Sequence, residues 1–395
     1  MSTKDREIRR LVISTVGTSL LTNLINSKKN LESDWSSRLQ DTANLTEKEI
    51  QKGSDIEEII QKLKQRAENK LEKANTIEIK EASAELNGIY GLYEDQLENG
   101  KLDHHLLITT DTAQGQVTAD IVKKFLLKQK KEKRLSLEIE VYTPEKLSTA
   151  NTKAFNKGID DLLDCLHTRV EEYKEKKYEI YFNLVGGFKA LQGCMNTIGM
   201  FYADKIIYVF EGATSNLITI PRLPITADYS RLKDHVSILA LLDAGAGLLP
   251  SKTEKIPEAM IAEIDGKMTL SNWGQLIWNQ CKKDFLSQEL QEFPRLDYDK
   301  NKFAKDYNNI STAQEKVKLQ ETLAKVSGLL EESNGNTRAL AKPVSYYAYD
   351  GAKDKEGVDH FYVGIDWRVS CKASNGKLTL RHYGTHKYVE GKETN

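Results

Sequence analysis

The amino-terminal half of the chain alternates short apolar runs with longer charged segments. The runs are rich in β-branched and aromatic residues, which favour strands, and the charged segments between them have a helical pattern. The runs lie at residues 10–14, 105–109, 136–143, 178–185 and 205–210. Strands that alternate with helices predict an α/β fold with a doubly wound, mostly parallel sheet.

A long polar insertion separates the first predicted strand from the second, at about residues 28–100. Within it Ile56, Ile59, Ile60 and Leu63 have the spacing of one helical face. We therefore expect helices packed on one side of the sheet, and not a separate catalytic unit.

The pattern changes twice in the second half. Two prolines interrupt residues 218–230, and residues 229–300 then look helical, with a winged-helix domain as one form that this segment could take. From residue 301 one or two amphipathic helices precede three strand-like stretches, "HFYVGIDW", "RVSCKASNGKLTLRHYG" and "THKYVEG". The Asn375-Gly376 pair predicts a hairpin with a type I′ turn. The predicted domains are 1–228, 229–300 and 301–395, the last with an α+β fold.

Composition restricts the class of protein. A formal net charge of −1 over 395 residues gives no general electrostatic attraction to nucleic acid, so any basic surface is local. The four cysteines are scattered and lack zinc spacing, which predicts neither a disulfide nor a zinc site. The amino terminus has no apolar signal core, and no apolar run approaches the roughly 20 residues that cross a bilayer. We expect a soluble, cytoplasmic protein without a membrane partner.

Three turns at the carboxyl ends of predicted strands carry the candidate chemistry of the first domain. They read "STVGTSLL", "TDTAQGQ" and "GGFKALQG", and they offer backbone N–H groups, small hydroxyls and the cation Lys189. That set suits phosphates and ribose hydroxyls, since ligands of open α/β sheets bind at these turns. A G-x-G-x-x-G motif does not follow the first strand, which argues against hydride transfer. Glycine is also common at such turns for steric reasons alone, and Lys189 could be a solvated residue.

Residues 8–225 resemble the CARF domain, the CRISPR-associated Rossmann-fold sensor of cyclic oligoadenylates. The resemblance rests on "STVGTSLL", "SAELNGIYGL" (83–92) and "NLVGGFKAL" (183–191). It implies a twofold homodimer that binds a ring-shaped messenger, with cyclic tetra-adenylate favoured. The residues that it implies for the ligand are Thr15, Gly17, Thr18 and Ser19 on one side, Gly186, Gly187 and Lys189 on the other, and Asp111, Thr112 and Gln114 from the middle turn. Phe188 stands where the family commonly has Thr or Asn.

The carboxyl-terminal tail is locally basic and contains imidazole and phenol groups. Cleavage of RNA without a metal needs a base, an acid and cations on the phosphorane, and His, Tyr and Arg can supply them near neutral pH. The carboxylate clusters expected of a two-metal nuclease are missing, so we expect no metal and no cofactor. The candidate catalytic residues are Arg368, Arg381, His382, His386 and Tyr388.

Residues 300–392 resemble the RelE-type mRNA interferases, which are ribosome-associated ribonuclease toxins. "IDWRVSCKASNGKLTLRHYGTHKYV" carries most of the resemblance. Arg368 matches the arginine that contacts the scissile phosphate, His386 a basic or histidine catalytic position, and Tyr388 an aromatic or polar position near the end. The hypothesis is that Arg368 and Arg381 clamp the phosphate while His386 and Tyr388 handle protons. The implied partners are mRNA and the ribosome, and the implied outcome is inhibition of translation during antiviral defence.

Other interpretations stay open at this point. Arg381 and His386 also fit the R-x4-H spacing of the all-helical HEPN ribonucleases, although the alternation before Gly384 favours strands. The chain could instead be a non-enzymatic regulator with a DNA-binding winged helix, or its sensor could also degrade its messenger. His382, on the apolar side of its strand, could be a packed structural histidine.

Overall fold

The computed structural model describes residues 8–26, 32–210, 216–224, 228–348 and 357–393. The chain divides into two compact units, unit 1 over residues 1–225 and unit 2 over residues 226–395. Among the described residues, no helix is long and apolar enough to cross a membrane.

Unit 1 is built on one six-stranded sheet. Its elements are β1 (Arg10–Thr15), α1 (Ser19–Thr22), α2 (Trp35–Asp41), α3 (Asp55–Lys73), α4 (Thr76–Ala82), α5 (Ala84–Leu92), β2 (His104–Ile108), α6 (Ala113–Glu132), β3 (Glu138–Tyr142), α7 (Thr152–Glu175), β4 (Glu179–Asn183), α8 (Lys189–Tyr202), β5 (Lys205–Val209) and β6 (Leu217–Pro221). The strand order is β3-β2-β1-β4-β5-β6, and only the pairing of β6 with β5 is antiparallel. The parallel sheet and its five predicted strands are confirmed.

The predicted insertion is mostly helical over its described residues. Helices α2 to α5 fill it, and their apolar faces share one core with α6 through residues such as Leu39, Ile59, Leu63, Leu86 and Val122. Of the four residues read as one helical face, Ile59, Ile60 and Leu63 are buried and Ile56 packs beside them. The insertion therefore covers the sheet, as predicted, and its last helix reaches the turn after β1.

Unit 2 combines helices with a five-stranded sheet. Its elements are α9 (Val236–Asp243), β7 (Ile261–Ile264), β8 (Lys267–Leu270), α10 (Asn272–Leu286), β9 (Leu296–Tyr298), α11 (Phe303–Asn308), α12 (Ala313–Glu332), β10 (Tyr347–Ala348), β11 (Asp359–Val363), β12 (Trp367–Ser374), β13 (Lys377–Thr385) and α13 (His386–Glu393). The strand order is β10-β11-β12-β13-β9, with β9 parallel to β13 and the other pairs antiparallel. The Asn-Gly turn is confirmed, since Asn375 and Gly376 have φ of 51° and 71°.

Three expectations for unit 2 are corrected by the structure. Residues 261–270 form the β7–β8 hairpin and not a helix, with Asp265 and Gly266 in the left-handed region that a type I′ turn requires. The stretch "THKYVEG" forms no third strand, because Thr385 ends β13 and the residues from His386 onward lie in helix α13. Residues on both sides of position 300, such as Trp278 and Phe361, lie in one core, so the predicted boundary there does not divide the packing.

The HEPN alternative also loses its structural basis. It needs Arg381 and His386 at the start of a helix in an all-helical domain. Arg381 lies instead within strand β13 of the five-stranded sheet, and only His386 begins a helix.

Candidate functional site

A depression of about 400 Å³ lies at the carboxyl edge of the unit 1 sheet. It forms where the chain leaves β1, β2 and β4, because parallel strands end at the same edge. Of the residues predicted to bind nucleotide, those that line it are Gly17, Thr18, Ser19, Thr112, Gly186 and Gly187. The structure thus brings together three turns that are far apart in the sequence.

The turns after β1 and β4 are in direct contact. A Cβ atom added to Gly17 would lie 2.9 Å from the backbone nitrogen of Gly187, so only glycine allows this approach. Gly187 has φ of +96°, a backbone conformation that is strained for any residue with a side chain. The Thr15 hydroxyl donates to the carbonyl oxygen of Gly186 at 2.5 Å and ties the turns together.

Glu85, at the start of α5, closes the base of these turns. Its carboxylate accepts hydrogen bonds from the Gly17 N–H at 2.6 Å and from the Ser83 hydroxyl at 2.7 Å. A Cβ on Gly186 would lie 2.1 Å from Oε1 of Glu85. The side chain is fully buried, and burial raises its pKa although both hydrogen bonds oppose the rise. Sequence analysis quoted the segment around Glu85 but missed this residue.

Glu85 gives the first testable prediction, a pH-dependent change in stability. Because the folded pKa is raised, the folded protein keeps a proton that the unfolded chain releases, so its stability falls as pH rises above the usual carboxyl pKa of 4.5. Glu85→Gln keeps the shape without titrating: its amide oxygen accepts from the Gly17 N–H, and its amide nitrogen donates to the Ser83 oxygen in place of the bond that Ser83 donated. We expect its free energy of unfolding, relative to wild type, to increase between about pH 4.5 and about pH 8.

Denaturant unfolding at several pH values measures this difference. Glu81→Gln, at an exposed position of α4, is the control for the same chemical change on the surface. A relative stability of Glu85→Gln that stays constant over this pH range would contradict the prediction.

Helix α8 presents its amino terminus beside the depression. Phe188 occupies the N-cap position without a side-chain hydrogen bond to the first turn, and it also lines the depression. A helix amino terminus carries partial positive charge and favours anions. Gln192 fixes the entering turn, since its side-chain amide donates to the carbonyl oxygens of Leu184 and Gly186 at 3.1 and 3.0 Å. The Ser19 Oγ adds a buried polar atom that has no hydrogen-bond partner among the described residues.

Four predicted ligand residues do not line the depression. Thr15 is fully buried and its hydroxyl is used within the protein, as described above. Gln114 is also buried, and its amide donates to the Leu39 carbonyl at 2.8 Å. The Asp111 carboxylate accepts from the Gln116 amide and the Lys146 N–H, both at 3.2 Å. Lys189 begins α8 with an exposed side chain.

Thr112 lines the depression but also has a structural role. Its hydroxyl accepts from the Gly115 N–H at 3.2 Å as the N-cap of α6, and it lies 2.8 Å from the Thr110 hydroxyl. Sequence position predicted which residues belong to the turns, but side-chain direction decides which of them face the depression.

In unit 2, one face of the five-stranded sheet carries the candidate catalytic groups. Alternation places Phe361, Val369 and Tyr383 against the core, so their neighbours project to the opposite face, which we call the outer face. Cross-strand partners project to the same side. The outer face therefore holds two rows, Tyr362–Arg368–Gly384 and His360–Ser370–His382.

Arg368 is the cation at the centre of the outer face. Its guanidinium lies over the Tyr362 ring, 4.4 Å from the centroid, and Nη2 donates to the Tyr362 hydroxyl. Nε and Nη1 are buried without a hydrogen-bond partner among the described residues. Burial, with the Arg368 charge as a second cause, lowers the pKa of nearby His360 to about 4, so this imidazole is neutral at pH 7. Two donors of this cation thus have no hydrogen-bond partner among the described residues, although neither nitrogen is exposed to solvent.

Arg381, which was predicted to clamp the phosphate with Arg368, forms an ion pair with Glu393 instead. Its guanidinium donates twice to Glu393 of α13, from Nε at 2.9 Å and from Nη2 at 2.8 Å. The Ser370 hydroxyl donates to the same carboxylate at 2.7 Å. Burial opposes ionisation of Glu393, but these hydrogen bonds prevail and lower its pKa. Arg381 therefore anchors α13 to the outer face in this structure and does not form a clamp with Arg368.

The two histidines of the tail have opposite environments. His386 begins α13 with 54% of its side chain exposed, and its Nδ1 is 3.8 Å from Glu390 Oε2. His382 is buried, and its Nδ1 lies 3.0 Å from Oδ2 of Asp306 on α11. Tyr388 reaches the same carboxylate, since its hydroxyl donates to Oδ1 at 2.8 Å.

Asp306 and Tyr362 are further residues that sequence analysis missed. Asp306 also accepts from the Tyr383 N–H at 3.1 Å, so its carboxylate joins strand β13 to helices α11 and α13. Asp306 and His382 are 76 residues apart in the chain, so local sequence spacing gives no sign of their contact. A groove of about 390 Å³ is lined by Asp306, Trp367, Gly384 and Tyr388, among others.

Residues 80–223 match the family model described as CRISPR-associated protein (Cas_APE2256). The matched segment covers less than half of the chain and lies within unit 1. It includes Glu85 and the glycine turn at Gly186 and Gly187, but neither the turn after β1 nor unit 2. The match supports a CRISPR-associated protein.

Proposed function

We propose that this protein is a CRISPR type III accessory effector in which unit 1 binds a cyclic oligoadenylate and unit 2 cleaves RNA. Cyclic tetra-adenylate is the favoured activator, and mRNA on the ribosome is the favoured substrate. The outcome is inhibition of translation during antiviral defence. The observation that carries this proposal is the contact of the Gly17 and Gly187 turns at the edge of a depression in unit 1.

The chemistry of the depression supports a nucleotide ligand. The uncapped amino terminus of α8 favours a phosphate, and the Thr18 and Ser19 side chains offer hydroxyl partners. No enzyme chemistry is needed there, because a sensor has only to bind. A twofold dimer would present every turn twice to a symmetric ring, which is why we propose a homodimer through unit 1.

The outer face of unit 2 supports RNA cleavage. Arg368 has unused donors on a rigid fork, the group best suited to a phosphate and to the charge that develops on it. The Tyr388 ring occupies the space next to Gly384, which is the cross-strand partner of Arg368. In the proposed reaction the 2′-hydroxyl gives its proton to a base as its oxygen attacks phosphorus, and the bond to the 5′-oxygen breaks as that oxygen takes a proton from an acid. His386 and Tyr388 are the groups proposed to handle these protons, and a cyclic phosphate and a 5′-hydroxyl result.

Activation requires that the ligand prefer one conformational state of the protein. A ligand with equal affinity for the resting and active states shifts no equilibrium, however tightly it binds. We propose that the ring prefers the state in which unit 2 is active.

Calorimetric titration with cyclic tetra-adenylate tests the sensor part of the proposal. We expect one ring to bind per two chains, and linear tetra-adenylate to bind much more weakly. Cyclic hexa-adenylate serves as the control for ring size. A protein that binds neither ring would refute the proposed sensor, whereas tighter binding of the larger ring would correct only the messenger.

A further inference from the structure

We infer that Asp306 is a positioning residue for RNA cleavage, acting through Tyr388. The inference rests on the proposed function, since it names a further residue of the same site. It follows from one hydrogen-bonded array in which the Asp306 carboxylate holds the Tyr388 phenol on one oxygen and the His382 imidazole on the other.

The array is fully connected around Asp306. Oδ1 accepts from the Tyr388 hydroxyl at 2.8 Å, and Oδ2 lies 3.0 Å from His382 Nδ1 and accepts from the Tyr383 N–H at 3.1 Å. The Asp306 side chain is 8% exposed, so these contacts replace water. An ionised carboxylate only accepts, which places the His382 proton on Nδ1 and directs the Tyr388 proton toward Asp306.

The phenol of this array lies next to the strand position that pairs with Arg368. Tyr388 is 41% exposed, and its ring carbon Cδ1 lies 2.5 Å from the position that a Cβ on Gly384 would take. Gly384 pairs directly with Arg368 across the strands, so the Tyr388 ring lies next to the cross-strand partner of Arg368, while the guanidinium itself lies over Tyr362 of β11. Asp306 and Tyr388 also line the same groove.

Charge fixes the form in which Tyr388 acts. Burial first, and then Asp306, raise the pKa of Tyr388 to about 12, so the phenol is neutral at pH 7. Among the described residues, other ionisable groups near it are Lys392, whose ammonium lies 5.7 Å from the ring centroid, the His382 ring at 6.4 Å, and Glu315, which lines the same groove. With its proton directed at Asp306, Tyr388 offers oxygen lone pairs to a hydrogen-bond donor such as a ribose hydroxyl.

Asp306→Asn tests this role, because the amide keeps the shape and removes the charge. We expect the single-turnover rate of RNA cleavage to fall about 100-fold, which is the size of loss expected when a group that transfers protons is misplaced. The affinity for RNA should stay within about threefold of wild type. The rate of the variant should also begin to rise at a lower alkaline pH than the wild-type rate, because the pKa of Tyr388 loses the contribution of the carboxylate and the phenolate is the stronger acceptor. Asp297→Asn, at an exposed carboxylate of β9, is the matched control.

A double-mutant cycle separates positioning from a general loss of structure. If Asp306 acts through Tyr388, Asp306→Asn should cost little further activity in a Tyr388→Phe protein. If the double variant instead loses activity by the product of the two single losses, the inference is overturned. An unchanged pH–rate profile in Asp306→Asn would overturn it as well. Should Asp306→Asn lower the melting temperature markedly, Asp306→Glu takes its place in the cycle.

Failure of the inference differs from failure of the proposed function. Wild-type protein that does not cleave RNA with cyclic tetra-adenylate present would refute the function itself. An Asp306→Asn protein that cleaves RNA as fast as wild type would leave the proposed function intact and would remove Asp306 from the mechanism.

Discussion

Arg368→Lys should lower RNA cleavage by unit 2 about a thousandfold, the largest effect expected of any single change. Lysine keeps the charge but loses the planar fork, a group that can donate to two phosphate oxygens at once and that lies over the Tyr362 ring, 4.4 Å from its centroid. Loss of a donor aimed at developing charge typically costs about 100- to 1,000-fold in rate. Single-turnover cleavage of a labelled RNA, with activator present, measures the effect.

The control for Arg368→Lys removes a cation elsewhere on the same sheet. Lys377 begins β13 and lies 3.6 Å from Asp297 on a half-exposed surface, away from the outer-face rows. We expect Lys377→Ala to cleave RNA at nearly the wild-type rate. Equal rates for Arg368→Lys and wild type would exclude Arg368 from the proposed reaction centre.

Gly17→Ala should abolish activation, with the affinity for cyclic tetra-adenylate reduced by about 100-fold or more. The added methyl group would lie 2.9 Å from the Gly187 nitrogen, which belongs to backbone and cannot rotate away. The two turns must then separate, and a displacement of an ångström or so in a binding site costs on the order of 100-fold. Calorimetry on the folded variant measures the affinity, and RNA cleavage reports the activation.

Gly193→Ala is the matched control for Gly17→Ala. Gly193 lies in α8 of the same unit, and a Cβ there would meet no atom within 4 Å. Alanine also favours a helix by up to about 1 kcal/mol relative to glycine. Wild-type affinity in Gly193→Ala with lost affinity in Gly17→Ala would support the close turns as the ligand site. Unchanged affinity in Gly17→Ala would place the ligand elsewhere.

The parallel sheet of unit 1 could be predicted because its strands are apolar in nearly continuous runs. Leu11, Val12 and Ile13 are fully buried, as expected of a strand covered on both faces. Strand β6 was missed because Pro221 was read as part of a break. Proline is tolerated on an edge strand, and β6 is the edge of this sheet.

Unit 2 was harder to predict because its elements are short and their signals conflict. "THKYVEG" contains residues common in strands, yet it folds as α13, which is held by the contact of Glu393 with Arg381 and Ser370. Those partners lie on neighbouring strands, so tertiary contacts decide the conformation. The Asp265-Gly266 turn was a usable hairpin signal that the helical interpretation overlooked.

The candidate sites show the same limit. The glycine turns could be placed from sequence because they follow strands, and Arg368 was predicted because it matches an arginine of the RelE-type pattern. Glu85 and Asp306 could not, since each contacts a residue 68 or 76 positions away, at Gly17 and His382. Buried carboxylates of this kind become visible only when folding brings their donors together.

The central claim, that a ring nucleotide bound by unit 1 controls RNA cleavage by unit 2, is tested most directly on translating ribosomes. Toeprinting of an mRNA, with and without cyclic tetra-adenylate, locates cuts, and analysis of fragment ends identifies the chemistry. Cuts that depend on the ring and leave a 2′,3′-cyclic phosphate and a 5′-hydroxyl are the predicted result. Equal cutting with and without the ring, or fragments with 5′-phosphate ends, would contradict it.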